Sequence, residues 1–230
     1  MPMAKNILAK GYKLTVFNRT ISKAERLSKN GAVIAKSIKD AVKSSDLIIT
    51  MLSDDDAVLS VIKNKEFLDN VKSGSILIDM SSTKPATAKK IADLLKKKKI
   101  DFLDAPVSGG TIGAVNASLA IMAGGNENSY KKVLGILNSM GTATLVGPVG
   151  SGQIAKLANQ IIVGVTIGAV AEALHLCQKS GANPKKFIKA VEGGFADSKI
   201  LKNHGKKMIE GNYTPGGKTS THLKDMNNIL

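Results

Sequence analysis

The sequence predicts an α/β fold class in two parts, a sheet domain over residues 1–147 and an all-helical domain over residues 148–230. Three observations predict it. Short β-rich runs alternate with helical stretches as far as residue 147, no β-run follows, and residues 151 to about 180 read as one long helix joining the two parts. Alternation of short apolar strands with helices signifies a parallel sheet, because the crossover helices cover both of its faces.

The elements follow in order. Residues 3–9 have a helical pattern closed by Gly11, residues 13–17 read as a strand, and residues 22–28 as a helix. Residues 46–51 and 75–79 are apolar runs of strand length, surrounded by helical patterns over 55–70 and 85–98. Residues 101–105, 118–123 and 143–146 extend the sheet. The texture changes at Gly147-Pro148-Val149-Gly150. The long helix after it, ended by Gly181, spans about 45 Å at 1.5 Å per residue. Gly164, Gly168, Ala169, Ala171 and Ala173 lower its propensity, so close backbone packing is expected there. Residues 184–192 and 198–209 read as helices, residues 212–217 as a loop, and a last helix begins near residue 221. No internal repeat is present.

Composition narrows the function classes. All but Arg19 and Arg26 of the 33 basic residues are lysine, and aromatic residues make up 3% of the chain. A dedicated nucleic-acid module would favour arginine and aromatic side chains, so the net charge of +15 reads as a solvated lysine surface that attracts anionic metabolites. The single cysteine, Cys177, excludes an intrachain disulfide and a cysteine-cluster metal site. The first residues lack the pattern of a secretory signal, and the apolar run 161–171 is about half a membrane span. A cytoplasmic protein with no membrane partner is the expectation, and the histidines His175, His204 and His222 form no sequence pattern for a metal.

Four groups of residues carry possible chemistry. Lys156 lies near the start of the long apolar helix, and Asn159 and Gln160, three and four positions on, share its helical face. Such a trio can hold a carbonyl or hydroxyl oxygen while the lysine exchanges its proton; alone, it is more commonly the pattern of a surface lysine. The stretch Asp104-Ala105-Pro106-Val107-Ser108-Gly109-Gly110 can turn backbone amides and the Ser108 hydroxyl onto a carboxylate, or be a tight structural turn. Three polar strand exits, at residues 18–20, 52–54 and 80–83, fall where ligands of such sheets gather. At the first, Asn18 replaces the acidic residue that reads an NAD ribose, and Arg19 can pair with a 2′-phosphate. Asn18-Arg19-Thr20 thus favours NADP over NAD, a solvated arginine being the alternative.

In combination these segments resemble the β-hydroxyacid dehydrogenase family. The resemblance runs from residues 3–6 and Gly11-Tyr12 through residues 104–110, Gly113-Ala114, residues 119–125 and Gly150-Ser151-Gly152-Gln153, and on to Lys156, Asn159, Gln160 and Lys224-Asp225. It implies a Rossmann-like nucleotide-binding domain and a helical dehydrogenase domain, with NADP or NAD as cofactor and no metal. Lys156 is implied as the general acid of aldehyde reduction, and as the base of the reverse reaction. Asn159 and Gln160 would orient the substrate, Gln160 departing from the family's usual asparagine. Ser108, Gly109 and Gly110 would hold the substrate carboxylate. Leu52, Ser53, Ser82 and Thr83 would line the cofactor, and Lys224 would close over its nicotinamide side.

The implied substrate is a small carboxylated aldehyde, or the hydroxyacid in reverse, handled by a homo-oligomer. The tract 159–163, Gly193-Gly194-Phe195-Ala196, His204-Gly205, Met208-Ile209 and His222 is most similar to tartronate semialdehyde (2-hydroxy-3-oxopropionate) reductases. 3-Hydroxyisobutyrate dehydrogenase and glyoxylate/succinic semialdehyde reductases are the alternatives. The family pattern starts with a strand and a Gly-x-Gly-x-x-Gly turn, whereas this sequence opens in a helix and stops inside another. Both ends therefore read as cut, the nucleotide-binding domain as incomplete, and weak cofactor binding by a catalytically silent, binding or structural chain is the rival expectation.

Overall fold

A computed structural model describes residues 1–216 and 219–228. The chain divides into two compact units, Met1–Lys156 and Leu157–Leu230.

The first unit holds all the strands found among the described residues. In order it runs α1 (Pro2–Ala9), β1 (Thr15–Val16), α2 (Ile21–Glu25), β2 (Val33–Ile34), α3 (Ile38–Val42), β3 (Leu47–Thr50), α4 (Asp55–Ile62) and α5 (Lys65–Asn70). It continues with β4 (Ile76–Asp79), α6 (Pro85–Lys96), β5 (Asp101–Asp104), β6 (Val107–Ser108), α7 (Gly110–Val115), β7 (Leu119–Gly125), α8 (Glu127–Asn138), β8 (Gly141–Gly147) and the start of α9 (Ser151–Lys179). β1 and β2 pair in parallel as a separate two-stranded sheet, while the main sheet has the order β3-β4-β5-β7-β6 with β8 also on β7. β3, β4 and β5 are parallel, and β7 with β8 likewise, but β7 runs antiparallel to both β5 and β6. The sheet is therefore mixed where the alternating pattern predicted a parallel one. Part of the reason is local: residues 104–110, read from sequence as a loop, contain β6, whose Val107 and Ser108 pair with Ile121 and Ala120.

Alternation along the strands separates two cores. Ile76, Ile78, Met80 and Leu103 face Ile121, Leu137 and Met140, whereas Leu77 and Phe102 face Val58, Ile62, Phe67, Ile91 and Leu95. Each large side chain so buried contributes about 1.5–3 kcal/mol of transfer free energy, enough to make the strand register specific. Several helices are started by side chains at their N-caps. Ser37 accepts from the Asp40 amide, Asp54 from Ala57 and Asn126 from Ser129, each satisfying an orphan donor of the first turn.

The second unit is helical: the rest of α9, α10 (Pro184–Ala190), a π-helical turn over Leu201–Gly205, α11 (Lys206–Ile209) and α12 (Thr219–Asn227). Val170, Leu174 and Leu201 form its core with Phe187, Ile188 and Met208. The single helix predicted over 198–209 is instead a π turn continued by α11. A Cβ on Gly205 would meet Ile188 Cδ1 at 3.2 Å and Val170 Cγ1 at 3.4 Å, so the missing side chain is what lets this turn approach α9 and α10. The expected loop 212–217 ends on Gly217, outside the described residues.

α9 is long and apolar enough, by length and composition alone, to cross a membrane. Its first turn, however, is bonded into the sheet unit (below), and Ile161, Ile162 and Val165 are exposed in the single chain.

Candidate active site

The polar exits of β3 and β4 are tied to each other by buried and half-buried hydrogen bonds. At the end of β3, the Thr50 hydroxyl donates to Asp79 Oδ1 at 2.8 Å, and the Leu52 amide donates to Ser81 Oγ at 2.8 Å. Ser53 donates to Asp54, the residue that caps α4. At the end of β4, the Ser81 amide donates to Asp79 Oδ1 at 3.1 Å. Asp79 and Thr83 are both buried, and Asp79 Oδ2 and Thr83 Oγ1 have no hydrogen-bond partner among the described residues. Burial pushes the Asp79 carboxyl up to about 6; the Ser81 and Thr50 hydroxyls oppose that rise, and neighbouring Asp104 adds to it.

Asp104, the register partner of Asp79 on β5, receives the start of α9. Its Oδ1 accepts from the Gly150 amide at 2.7 Å and its Oδ2 from the Gln153 amide at 2.8 Å. It therefore acts as an N-terminal cap supplied from another element, satisfying donors that a helix start leaves bare. Burial raises its carboxyl above the ordinary value, and the amides of Gly150, Gln153 and Gly152 pull it back. The contact is close enough to need glycine: a Cβ on Gly124 would lie 2.7 Å from Asp104 Oδ1, and one on Gly152 2.3 Å from the Met122 carbonyl. Gln153, 1% exposed, completes the junction. Its Oε1 accepts from the Thr83 amide at 3.0 Å, and its Nε2 donates to the Ser81 carbonyl at 2.8 Å.

Lys156 follows on α9, three residues past Gln153 and only 8% exposed. Its burial is at odds with the surface-lysine alternative. Asn159 and Gln160 stand one turn further along the same helix, within the second unit. There Asn159 Nδ2 donates to Gln160 Oε1 at 3.0 Å, and Gln160 Nε2 donates to Asp225 Oδ2 at 2.8 Å. Lys224 pairs with Asp225 Oδ1 at 3.1 Å, and Asp225 is buried. His222 lies 3.4 Å from Gln160 Nε2, and a Cβ on Gly164 would come within 3.1 Å of its Nε2. Gly164 is thus a position where α12 comes close to α9.

The other sequence-predicted residues lie apart from these networks. Asn18, Arg19 and Thr20 are exposed at the exit of β1, where Asn18 Oδ1 accepts from the Thr20 amide at 2.9 Å. Asn18 borders an open pocket of about 380 Å³ together with Phe17, Lys23 and Arg26. Ser108 ends β6 and is half-buried; Gly109, at φ +132°, and Gly110, at φ +61°, take backbone conformations that suit glycine. Asp79, Asp104, Gln153 and Asp225 carried no separate assignment from sequence, although Asp104, Gln153 and Asp225 lie inside quoted motifs. No group of three His, Cys, Asp or Glu side chains suited to a metal occurs among the described residues.

A dinucleotide fits these residues. Thr83 supplies a buried hydroxyl with no hydrogen-bond partner among the described residues, and the exit of β1 supplies a cation at Arg19 beside the Asn18 turn.

Comparison with known proteins agrees with the fold. Residues 1–150 match the NAD-binding domain of 6-phosphogluconate dehydrogenase, and residues 150–230 match the NAD-binding domain of NADP-dependent 3-hydroxyisobutyrate dehydrogenase. An uncharacterized oxidoreductase of Bacillus subtilis is 41% identical over 97% of this chain and 78% of its own length. The 2-hydroxy-3-oxopropionate reductase of Escherichia coli is 40% identical over the whole of this chain and 79% of its own. Mycobacterium tuberculosis 3-hydroxyisobutyrate dehydrogenase, solved with L-serine, superposes with a TM-score of 0.89 at 26% identity, over 99% of this chain and 80% of its own. The chain belongs to the β-hydroxyacid dehydrogenase family of NAD(P)-dependent oxidoreductases that includes 3-hydroxyisobutyrate dehydrogenase and 2-hydroxy-3-oxopropionate reductase.

Proposed function

We propose that this protein reduces a small carboxylated semialdehyde to its β-hydroxyacid, 2-hydroxy-3-oxopropionate to glycerate being the preferred pair, with Lys156 as general acid. The observation that carries the reading is a buried lysine one turn into a helix whose first turn is hydrogen-bonded to the Ser81–Thr83 rim. The 40% identity to a 2-hydroxy-3-oxopropionate reductase along the whole chain supports the substrate. L-Serine, bound to the mycobacterial relative, pairs a carboxylate with a 3-hydroxyl and has the same outline.

In this reading residues 1–147 hold the cofactor and residues 148–230 complete the enzyme. Leu52, Ser53, Ser82 and Thr83 line the cofactor, with Asn18, Arg19 and Thr20 at its adenosine end and Lys224 on its nicotinamide side. Bound NADPH supplies the hydride. Ser108 and the amides of Gly109 and Gly110 grip the substrate carboxylate, while Asn159 and Gln160 orient its carbonyl. The Lys156 ammonium donates a proton to the carbonyl oxygen as it becomes a hydroxyl; in the oxidative direction the neutral amine takes it back. Burial of Lys156 supports that exchange by holding the amine in a largely water-excluded position. The Arg19 guanidinium and the absence of an acid at Asn18 support NADP over NAD. The exposed Ile161, Ile162 and Val165 support a homo-oligomer, and we place the enzyme in the cytoplasm.

Turnover assays of 2-hydroxy-3-oxopropionate, methylmalonate semialdehyde, glyoxylate and succinic semialdehyde with NADPH and NADH test the assignment. The highest kcat/KM is expected for 2-hydroxy-3-oxopropionate with NADPH. A preference for methylmalonate semialdehyde would move the protein to the 3-hydroxyisobutyrate dehydrogenases. No reduction of any of the four would refute the reading.

A further inference from the structure

The proton donor and the cofactor rim lie on different elements of the first unit, and a reductase must keep them in fixed relation. We infer that Gln153 is the positioning residue that does this, clamping the turn of α9 before Lys156 to the backbone of the rim, with Asp104 holding the same turn from the sheet. The inference rests on the proposed role of Lys156 and adds a device that acts through it.

The geometry assigns the parts. The Gln153 amide makes two bonds to two rim residues, accepting from Thr83 N–H at 3.0 Å and donating to Ser81 C=O at 2.8 Å. A carboxamide is the side-chain group that can accept and donate at once in this way; glutamate loses the donor and leucine loses both. Its own main-chain N–H is held on Asp104 Oδ2 at 2.8 Å, so side chain and backbone of one residue are fixed independently. Gly150, on Oδ1 at 2.7 Å, gives the turn a second anchor. The rim end is equally constrained: the Leu52 amide bonds to Ser81 Oγ, and the Ser81 amide bonds to Asp79. A continuous buried path therefore leads from the exit of β3 through Ser81 and Gln153 to the helical turn that precedes Lys156. Every bond in it is buried or half-buried, where hydrogen bonds hold geometry firmly and a lost partner is costly.

Lys156 lies three positions past Gln153, so a tilt of this turn moves the lysine directly. Misplacement of a reacting group by about 1 Å can cost on the order of a hundredfold in rate, which sets the scale of the effect.

The test is a double-mutant cycle in the whole protein with Gln153→Met and Lys156→Ala. Methionine keeps the volume of glutamine and removes both side-chain bonds. Gln153→Leu serves as a second variant if the first fails to fold, folding being checked by thermal unfolding. Gln153→Met is expected to lower kcat about 10- to 100-fold with little change in NADPH affinity, and to enlarge the isotope effect from nicotinamide-deuterated NADPH. In the Lys156→Ala background the same substitution is expected to cost almost nothing more, because its effect passes through the missing amine. If the two losses multiply, or if Gln153→Met lowers NADPH affinity as much as turnover, the glutamine is a structural contact and the inference is overturned. A Lys156→Ala protein that keeps full turnover would instead refute the role of Lys156, so the two failures are distinguishable.

Discussion

Asp79 is a buried carboxyl group whose Oδ1 accepts from the Thr50 hydroxyl and the Ser81 amide, while Oδ2 has no hydrogen-bond partner among the described residues. Its folded-state pKa, raised to about 6, lies above the ordinary value of 3.8, so the native state binds a proton more tightly than the unfolded chain. The stabilisation this gives is complete below pH 3.8 and is lost as pH rises through 6, where ionising the buried group has cost about 3 kcal/mol. Between pH 5 and pH 7.5 wild type should lose stability to urea, and Asp79→Asn should flatten that slope. An unchanged slope would mean that Asp79 is ionised and satisfied in the fold. At this scale the sequence was legible only where motifs named residues. Lys156, Asn159, Gln160 and Thr83 could be singled out by spacing and resemblance, but the bonds joining Asp104 to Gly150 and Gln153 to Ser81 span 46 and 72 positions and leave no periodic trace.

Among the elements, α9 depends most on close approach. Gly152 in its first turn sits where a Cβ would meet the Met122 carbonyl at 2.3 Å and the Asp104 carbonyl at 2.7 Å. Both obstacles are backbone, so the helix and not a side chain would have to move. Gly152→Ala should therefore destabilise the protein by about 1–3 kcal/mol, despite the gain of roughly 1 kcal/mol that alanine brings to helix propensity. Turnover should fall further than folding accounts for, because the displaced turn carries Gln153. A variant as stable and as active as wild type would show that the helix start has freedom to shift. The long elements were readable from pattern alone: β3, β4 and β5 follow apolar runs of strand length, and α6 and α9 follow longer helical stretches. β6 and the π turn over Leu201–Gly205 were not. One is a two-residue strand fixed by pairing with β7, and the other is fixed by Val170 and Ile188 packing against Gly205.

Across the whole molecule the charge is lopsided, with 33 basic against 18 acidic residues. Every proposed ligand is an anion, whether phosphate-bearing cofactor or carboxylate substrate. A net charge of +15 should speed their encounter with the protein and should do so less when salt screens it. We predict that kcat/KM for the semialdehyde falls several-fold as ionic strength rises from about 0.01 M to about 0.15 M, where the Debye length shrinks from 30 Å to about 8 Å. kcat should change little, since the bound substrate is already placed. A salt-independent kcat/KM would assign the lysines to solubility alone.

Lysine to alanine at Lys156, with turnover and NADPH affinity measured side by side, is the most direct measurement. Loss of a general acid should reduce kcat by about 10²- to 10⁴-fold, with NADPH affinity holding within about twofold. Retained turnover, or equal loss of turnover and cofactor affinity, would contradict a proton-transfer role for this buried lysine.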